Sequence, residues 1–150
     1  MPTKIIIRRS VIALKRQPKT RIIRRIQKGD TGDSANIVSH VAGISLGGHR
    51  AVVLDAAEHA IYADKDTPSH ANKVIGITTG AAAIGANTLI AAYGEIDEPS
   101  WAWTPGEAIY LSTGGLVTQT APVSGFLLII GFAITATKIF ISIKQPIALT

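Results

Sequence analysis

The chain has 150 residues, the size of one ordinary domain, and no cysteine, which excludes disulfides and thiolate chemistry. It is 47% hydrophobic and only 17% charged, against roughly 25% charged in average soluble chains, so a lone copy has little charged surface and burial in an oligomer relieves the shortage. The net charge of +5 is unevenly held: residues 1–28 carry ten Lys or Arg and no acid, while the remainder carries five basic and ten acidic residues, a +10 arm on a −5 body.

The arm repeats an apolar cluster followed by a basic pair: Ile5-Ile6-Ile7-Arg8-Arg9, Val11-Ile12-Ala13-Leu14-Lys15-Arg16 and Ile22-Ile23-Arg24-Arg25. Neither a period of two nor one of 3.6 fits these clusters, and β-branched Ile dominates them, so the expectation is an extended arm that orders only against a partner. Ile beside Arg suits a protein groove: the apolar clusters are buried, main-chain groups add to exposed strands and the guanidinium groups pair with carboxylates. Nucleic acid is the rival target, but the arm has no aromatic residue for base stacking and its Ile clusters are wasted on a phosphate backbone. The basic start has no apolar stretch of useful length before Lys15 and Arg16, so no secretory signal is expected.

Lys28-Gly29-Asp30-Thr31-Gly32-Asp33-Ser34 looks like a fragment of a collagen-like Gly-X-Y stalk, but Ala35 stands where the next glycine is required. Residues 29–43 are therefore expected to form a Gly/Asp hinge, with a β-rich body over 44–150. Within that body, short apolar runs alternate with turn residues: Ala51-Val52-Val53-Leu54, Ala60-Ile61-Tyr62-Ala63, Val74-Ile75-Gly76-Ile77-Thr78-Thr79 and Thr88-Leu89-Ile90-Ala91-Ala92-Tyr93. Ala81-Ala82-Ala83 is a candidate helical turn. Ala108-Ile109-Tyr110-Leu111 and Leu116-Val117-Thr118-Gln119 flank Gly114-Gly115, whose freedom to take positive φ predicts a hairpin. A second hairpin is expected from Phe126–Ile134 and Lys138–Ile143. The fold class is thus all-β, a small β-barrel or sandwich with an extended N-terminal arm. Residues 108–137 lack charge, yet their apolar part is about half the ~20 residues a membrane span needs, so no span is expected.

Several motifs touch on chemistry. Gly43-Ile44-Ser45-Leu46-Gly47 has the spacing of a nucleophile elbow, and Asp66 and His70 follow in the required order, but no helical period follows Leu46. His40, His49, His59 and His70 lack the short spacings that gather imidazoles on a metal, and read as loop or surface histidines. Gly80-Ala81-Ala82-Ala83-Ile84-Gly85 has phosphate-loop glycine spacing, but Ala86-Asn87 replaces the required Lys-Ser/Thr. The carboxylate pairs Asp97/Glu98 and Asp64/Asp66 read as solvated loop charges. Trp101 and Trp103, two apart, share one face if that stretch is extended; with Tyr110 they are expected in the core or at a subunit interface, an exposed ligand platform being the alternative for the Trp pair. No catalytic residue, cofactor or metal is expected.

Five phrases occur in order: Gly48-His49-Arg50-Ala51-Val52-Val53, Val74-Ile75-Gly76-Ile77-Thr78-Thr79-Gly80, Trp101-Ala102-Trp103-Thr104-Pro105-Gly106, Ile109-Tyr110-Leu111-Ser112-Thr113-Gly114-Gly115-Leu116 and Ile143-Lys144-Gln145-Pro146-Ile147. Together they resemble a β-rich domain of tailed-bacteriophage virion proteins, similar to head decoration (cement) proteins and to the globular ends of small fibres. The likeness covers residues 44–150, and its most specific element is the Trp-x-Trp-Thr-Pro-Gly stretch. It implies a small β-barrel, commonly trimeric, without cofactor, in the virion. The partners it implies are further copies of the chain and other virion proteins, such as the major capsid protein or a tail protein. Attachment is then expected through Ile5, Ile6, Ile7, Arg8, Arg9, Ile22, Ile23, Arg24 and Arg25.

Overall fold

The computed structural model describes residues 35–150, so the nine residues expected to dock the arm lie outside the described residues. Eleven strands follow in chain order: β1 (Asn36–Val41), β2 (Ala51–Leu54), β3 (Ala60–Tyr62), β4 (Val74–Thr78), β5 (Asn87–Asp97), β6 (Ala108–Leu111), β7 (Val117–Thr118), β8 (Phe126–Leu127), β9 (Ile129–Ala133), β10 (Lys138–Ile141) and β11 (Ile147–Ala148). A single 3-10 turn, Pro68–His70, interrupts them among the described residues. The protein is all-β: nine strands form a curled antiparallel half-barrel in the order β3-β2-β4-β5-β10-β9-β6-β7, with β1 also on β5, and β8 and β11 pair separately.

The alternation of apolar and polar residues explains which side each strand buries. In β6 and β10 every second residue, Ile109 and Leu111, Ile139 and Ile141, is fully buried. They join Val53, Ile77, Ile96, Leu128 and Ile130 in the main core inside the curl. β2 is buried on both faces, because Val52 points the other way into a second cluster with Leu46, Ala42, Ala60 and Ile90. The chain between β1 and β2 covers that second cluster.

Gly115 closes the curl. Its N–H donates to the Ala63 carbonyl at 2.6 Å, its carbonyl accepts the Ala51 N–H at 2.8 Å, and Lys65 N–H donates to Ser112 O at 3.3 Å. These bonds tie the β2–β3 end of the sheet to the β6–β7 end. Gly115 has φ +76°, and a Cβ there would stand 2.8 Å from both Ala51 O and Tyr62 Cδ1, so glycine is required for conformation and for space alike.

Two expectations need correction. The hinge expected over 29–43 is strand from Asn36 on: β1 pairs antiparallel with β5 from Asn36↔Tyr93 to Val41↔Asn87, and Ala42 is buried. Ile37, Val38 and Val41 are exposed, so β1 buries no regular face and shows no alternation to read; it is held by main-chain pairing along the long β5. The helical turn expected at Ala81–Ala83 is extended instead, with Ala82 bridged to Leu46 by two main-chain bonds, Leu46 N to Ala82 O at 2.8 Å and Ala82 N to Leu46 O at 2.9 Å.

Candidate functional site

Two irregular segments meet beside the closing turn. The first is Gly47–Arg50, ahead of β2. Thr78, fully buried on β4, clamps it: the hydroxyl donates to Gly47 O at 2.8 Å and accepts the Arg50 N–H at 3.0 Å, while Thr78 O accepts the His49 N–H at 2.8 Å. The Tyr62 hydroxyl accepts the Gly47 N–H at 2.8 Å. Held at both ends, His49 adopts φ +58° and is presented outward, half-buried.

The second segment is residues 98–104, between β5 and β6. Glu98 N–H donates to Thr137 O at 2.9 Å and Trp103 N–H to Ala136 O at 2.8 Å, so the segment is stapled to the β9–β10 turn. Gln119 adds a two-way bond to the Thr104 backbone, both at 2.9 Å. The stretch is no strand, yet it is extended enough for Trp101 and Trp103 to be half-buried on one side with Ala102 exposed between them. Both indoles pack on the main core.

Between the segments lies an open cleft of about 330 Å³, lined by Gly48, His49, Arg50, Glu98, Ser100, Trp101, Trp103, Leu116 and Val117. His49 Nδ1 is 3.3 Å from Glu98 Oε2, and its ring meets Trp101 edge-on at 5.2 Å. Trp101 and Trp103 are 5.6 Å apart and tilted by 57°. The Glu98 carboxyl is held below its usual range, chiefly by the Ser100 backbone N–H at 2.9 Å, then by the Ser100 side chain, with His49 adding to the effect against a partial desolvation. Arg50 crosses the floor toward the closing turn, donating to Gly114 O at 2.9 Å with its guanidinium 5.4 Å from the centre of the Tyr62 ring. Trp103 Nε1 is buried and finds no acceptor among the described residues.

Sequence reasoning selected Trp101 and Trp103 but missed His49, Arg50, Glu98 and Ser100. Glu98 read as a solvated charge and His49 as a surface histidine, because nothing local says that residues so distant in the chain meet. Tyr110, the third expected core or interface residue, lies away from the cleft on the outward side of β6, half-buried opposite Ile129 and Thr118.

The other motifs resolve into turns. Leu46 of the Gly43–Gly47 stretch is buried against Ala82, and Ser45 is exposed on a loop. His70 Nδ1 accepts the Asp64 N–H at 3.1 Å and Asp66 pairs with Lys65 at 2.7 Å, so both are engaged within their own loop. Among the described residues no three His, Cys, Asp or Glu side chains gather as a metal site.

The outer surface holds a second feature. Tyr93 on β5, Phe140 on β10 and Phe132 on β9 form an aromatic strip across three strands, with Tyr93 edge-on to Phe140 at 5.2 Å and Phe132 stacked on it at 5.7 Å. Tyr93 is 55% exposed and Phe132 46%. Glu95 and Lys138, 3.5 Å apart, lie on the same two strands as Tyr93 and Phe140. Leu89, Ile37 and Val38 are also exposed on β5 and its partner β1.

No known protein family matches the chain, and no curated protein is similar to it.

Proposed function

We propose that the chain is a structural component of a tailed-phage virion, a homotrimeric capsid decoration or cement protein anchored by its N-terminal arm. The observation that carries this reading is the aromatic strip Tyr93–Phe140–Phe132 on the outside of the curled sheet. A contiguous exposed apolar patch on a small domain suits a surface that another protein covers, and a chain with 17% charged residues has little else to keep single copies apart. The body's all-β fold and the resemblance of its phrases to those of virion proteins support the same assignment, as does an arm whose Ile clusters fit a protein groove. The protein is read as scaffolding and not as an enzyme. A fibre or adaptor on the tail is the second reading, favoured by the same arm and trimer; nucleic-acid binding by the arm is the third.

Sedimentation of the full chain and of its Phe132→Ser, Tyr93→Ser double variant tests the assembly claim. A trimer for the first and a folded monomer for the second are expected; a wild-type monomer at micromolar concentration overturns it. Its location is tested by purifying virus particles from cells carrying the gene: the chain is expected in intact particles, on the head. Its absence from them removes the virion assignment.

A further inference from the structure

We propose that the cleft of Trp101, Trp103, His49 and Glu98 binds a neutral saccharide, a role that does not depend on the assembly function. The cleft's 330 Å³ is at the small end of the range for small-molecule sites, enough for a ligand of one or two pyranose rings. Its walls are of two kinds. Both indoles line it, and the faces of indole rings carry partial negative charge that attracts the weakly positive C–H face of a pyranose ring. The two rings are tilted by 57° to each other, so the apolar wall they make is not one flat face.

The polar wall supplies what sugar hydroxyls need. Glu98 is ionised and keeps lone pairs beyond those used by Ser100 and His49, so it accepts from hydroxyl groups; Ser100 and the imidazole each donate or accept. These groups are fixed in advance by Thr78, Thr137 and Ala136, so little ordering is left to oppose binding.

Charge decides against ionic ligands. The lining carries one cation and one anion, Arg50 and Glu98. Arg50 donates to Gly114 O and lies over the Tyr62 ring, while Glu98 accepts from the Ser100 N–H beside His49. The two formal charges cancel across the lining, so a phosphate or an ammonium group meets no net opposite charge there.

The two tryptophans of the cleft are the only two in the chain, so selectively excited tryptophan emission reports this location alone. The full chain is titrated with glucose, galactose, mannose, N-acetylglucosamine and their disaccharides, and with tetramethylammonium chloride and sodium sulfate. At least one sugar is expected to shift the emission saturably with a Kd on the order of 1 mM, and the two salts to leave it unchanged. Trp101→Phe, which keeps one aromatic ring, and Glu98→Gln, which keeps the shape of the side chain, both checked for folding by circular dichroism, are each expected to weaken that Kd at least about tenfold. The Phe132→Ser variant, altered on the outer strip, is expected to bind as wild type. Silence toward every sugar overturns the proposal, as does a response to tetramethylammonium or sulfate alone. Unchanged sugar affinity in both folded cleft variants overturns it too, since the sugar then sits elsewhere.

Discussion

His49 and Glu98 come from opposite ends of the sheet's central run, one before β2 and one after β5, and meet with Nδ1 and Oε2 3.3 Å apart. The contact joins two segments that are each fixed independently by main-chain bonds, so it reports the tertiary fold and not a local turn.

That carboxylate makes the body acid-sensitive. Glu98 is held below its ordinary value of about 4.3 and Asp55 below about 3.9, the latter mainly by the His59 backbone N–H, with Ala57 N–H and the His59 charge assisting. A carboxyl depressed in the folded state binds fewer protons there than in the unfolded chain, so its stabilisation is present above the unfolded value and is lost as pH falls through the folded one. Denaturant melts between pH 7 and pH 3 are expected to show stability falling below about pH 4.5, and Glu98→Gln is expected to flatten part of that slope.

Gly115 and Gly114 are adjacent and both have positive φ, +76° and +59°, but only Gly115 lacks room for a side chain. Gly114→Ala is expected to cost about 1 kcal/mol for backbone conformation alone. Gly115→Ala adds collision with Ala51 O and Tyr62 and is expected to cost roughly 2–4 kcal/mol. Urea titration of the two variants side by side separates conformation from space; equal losses would refute the steric account.

Trp103 presents a buried N–H without an acceptor among the described residues, a cost of about 1–3 kcal/mol that the packing of its ring offsets. Trp103→Phe removes that donor along with part of the ring, so thermal melts are expected to place it within about 1 kcal/mol of wild type. Trp103→Ala, which gives up the contact with the core altogether, is expected to lose about 2–3 kcal/mol, less than a fully buried Trp because the ring is only half covered.

For the arm, burial of an Ile contributes on the order of 1.5–3 kcal/mol, whereas an exposed Arg–carboxylate pair contributes at most about 1. Changing Ile5, Ile6, Ile22 and Ile23 to Ser is therefore expected to abolish particle incorporation, and changing Arg8, Arg9, Arg24 and Arg25 to Gln to slow it. The reverse ranking, together with release of the wild type by salt or nuclease, would identify nucleic acid as the arm's partner.

Much of the fold is written locally. The runs at Ala51–Leu54 and Ala108–Leu111 coincide with β2 and β6, and the hairpins β6–β7 and β9–β10 follow from turn residues between apolar runs. What escaped was non-local. β1 has no buried face to leave a period, and the second core cluster exists only because Leu46 and Ala42 cover Val52 from outside the strands. Likewise the tryptophans are legible as a pair, but their polar neighbours are assembled by the curl, which brings Gly48–Arg50 to residues 98–103 and no local pattern encodes.

The Gly115 seam also differs in kind from the ladders it completes. The ladders between β1 and β5 or β5 and β10 run over several consecutive residues, whereas the two ends of the sheet are joined at Ala51, Ala63 and Lys65 by isolated main-chain bonds to a turn, with the Arg50 and Asp64 side chains adding one bond each at Gly114. A fluctuation that releases these few bonds opens the curl along one line and leaves every strand pairing intact, as a cuff opens at its clasp. Amide hydrogens at the seam then exchange with solvent through this small opening, ahead of those on β4 and β5, whose release requires the sheet itself to come apart.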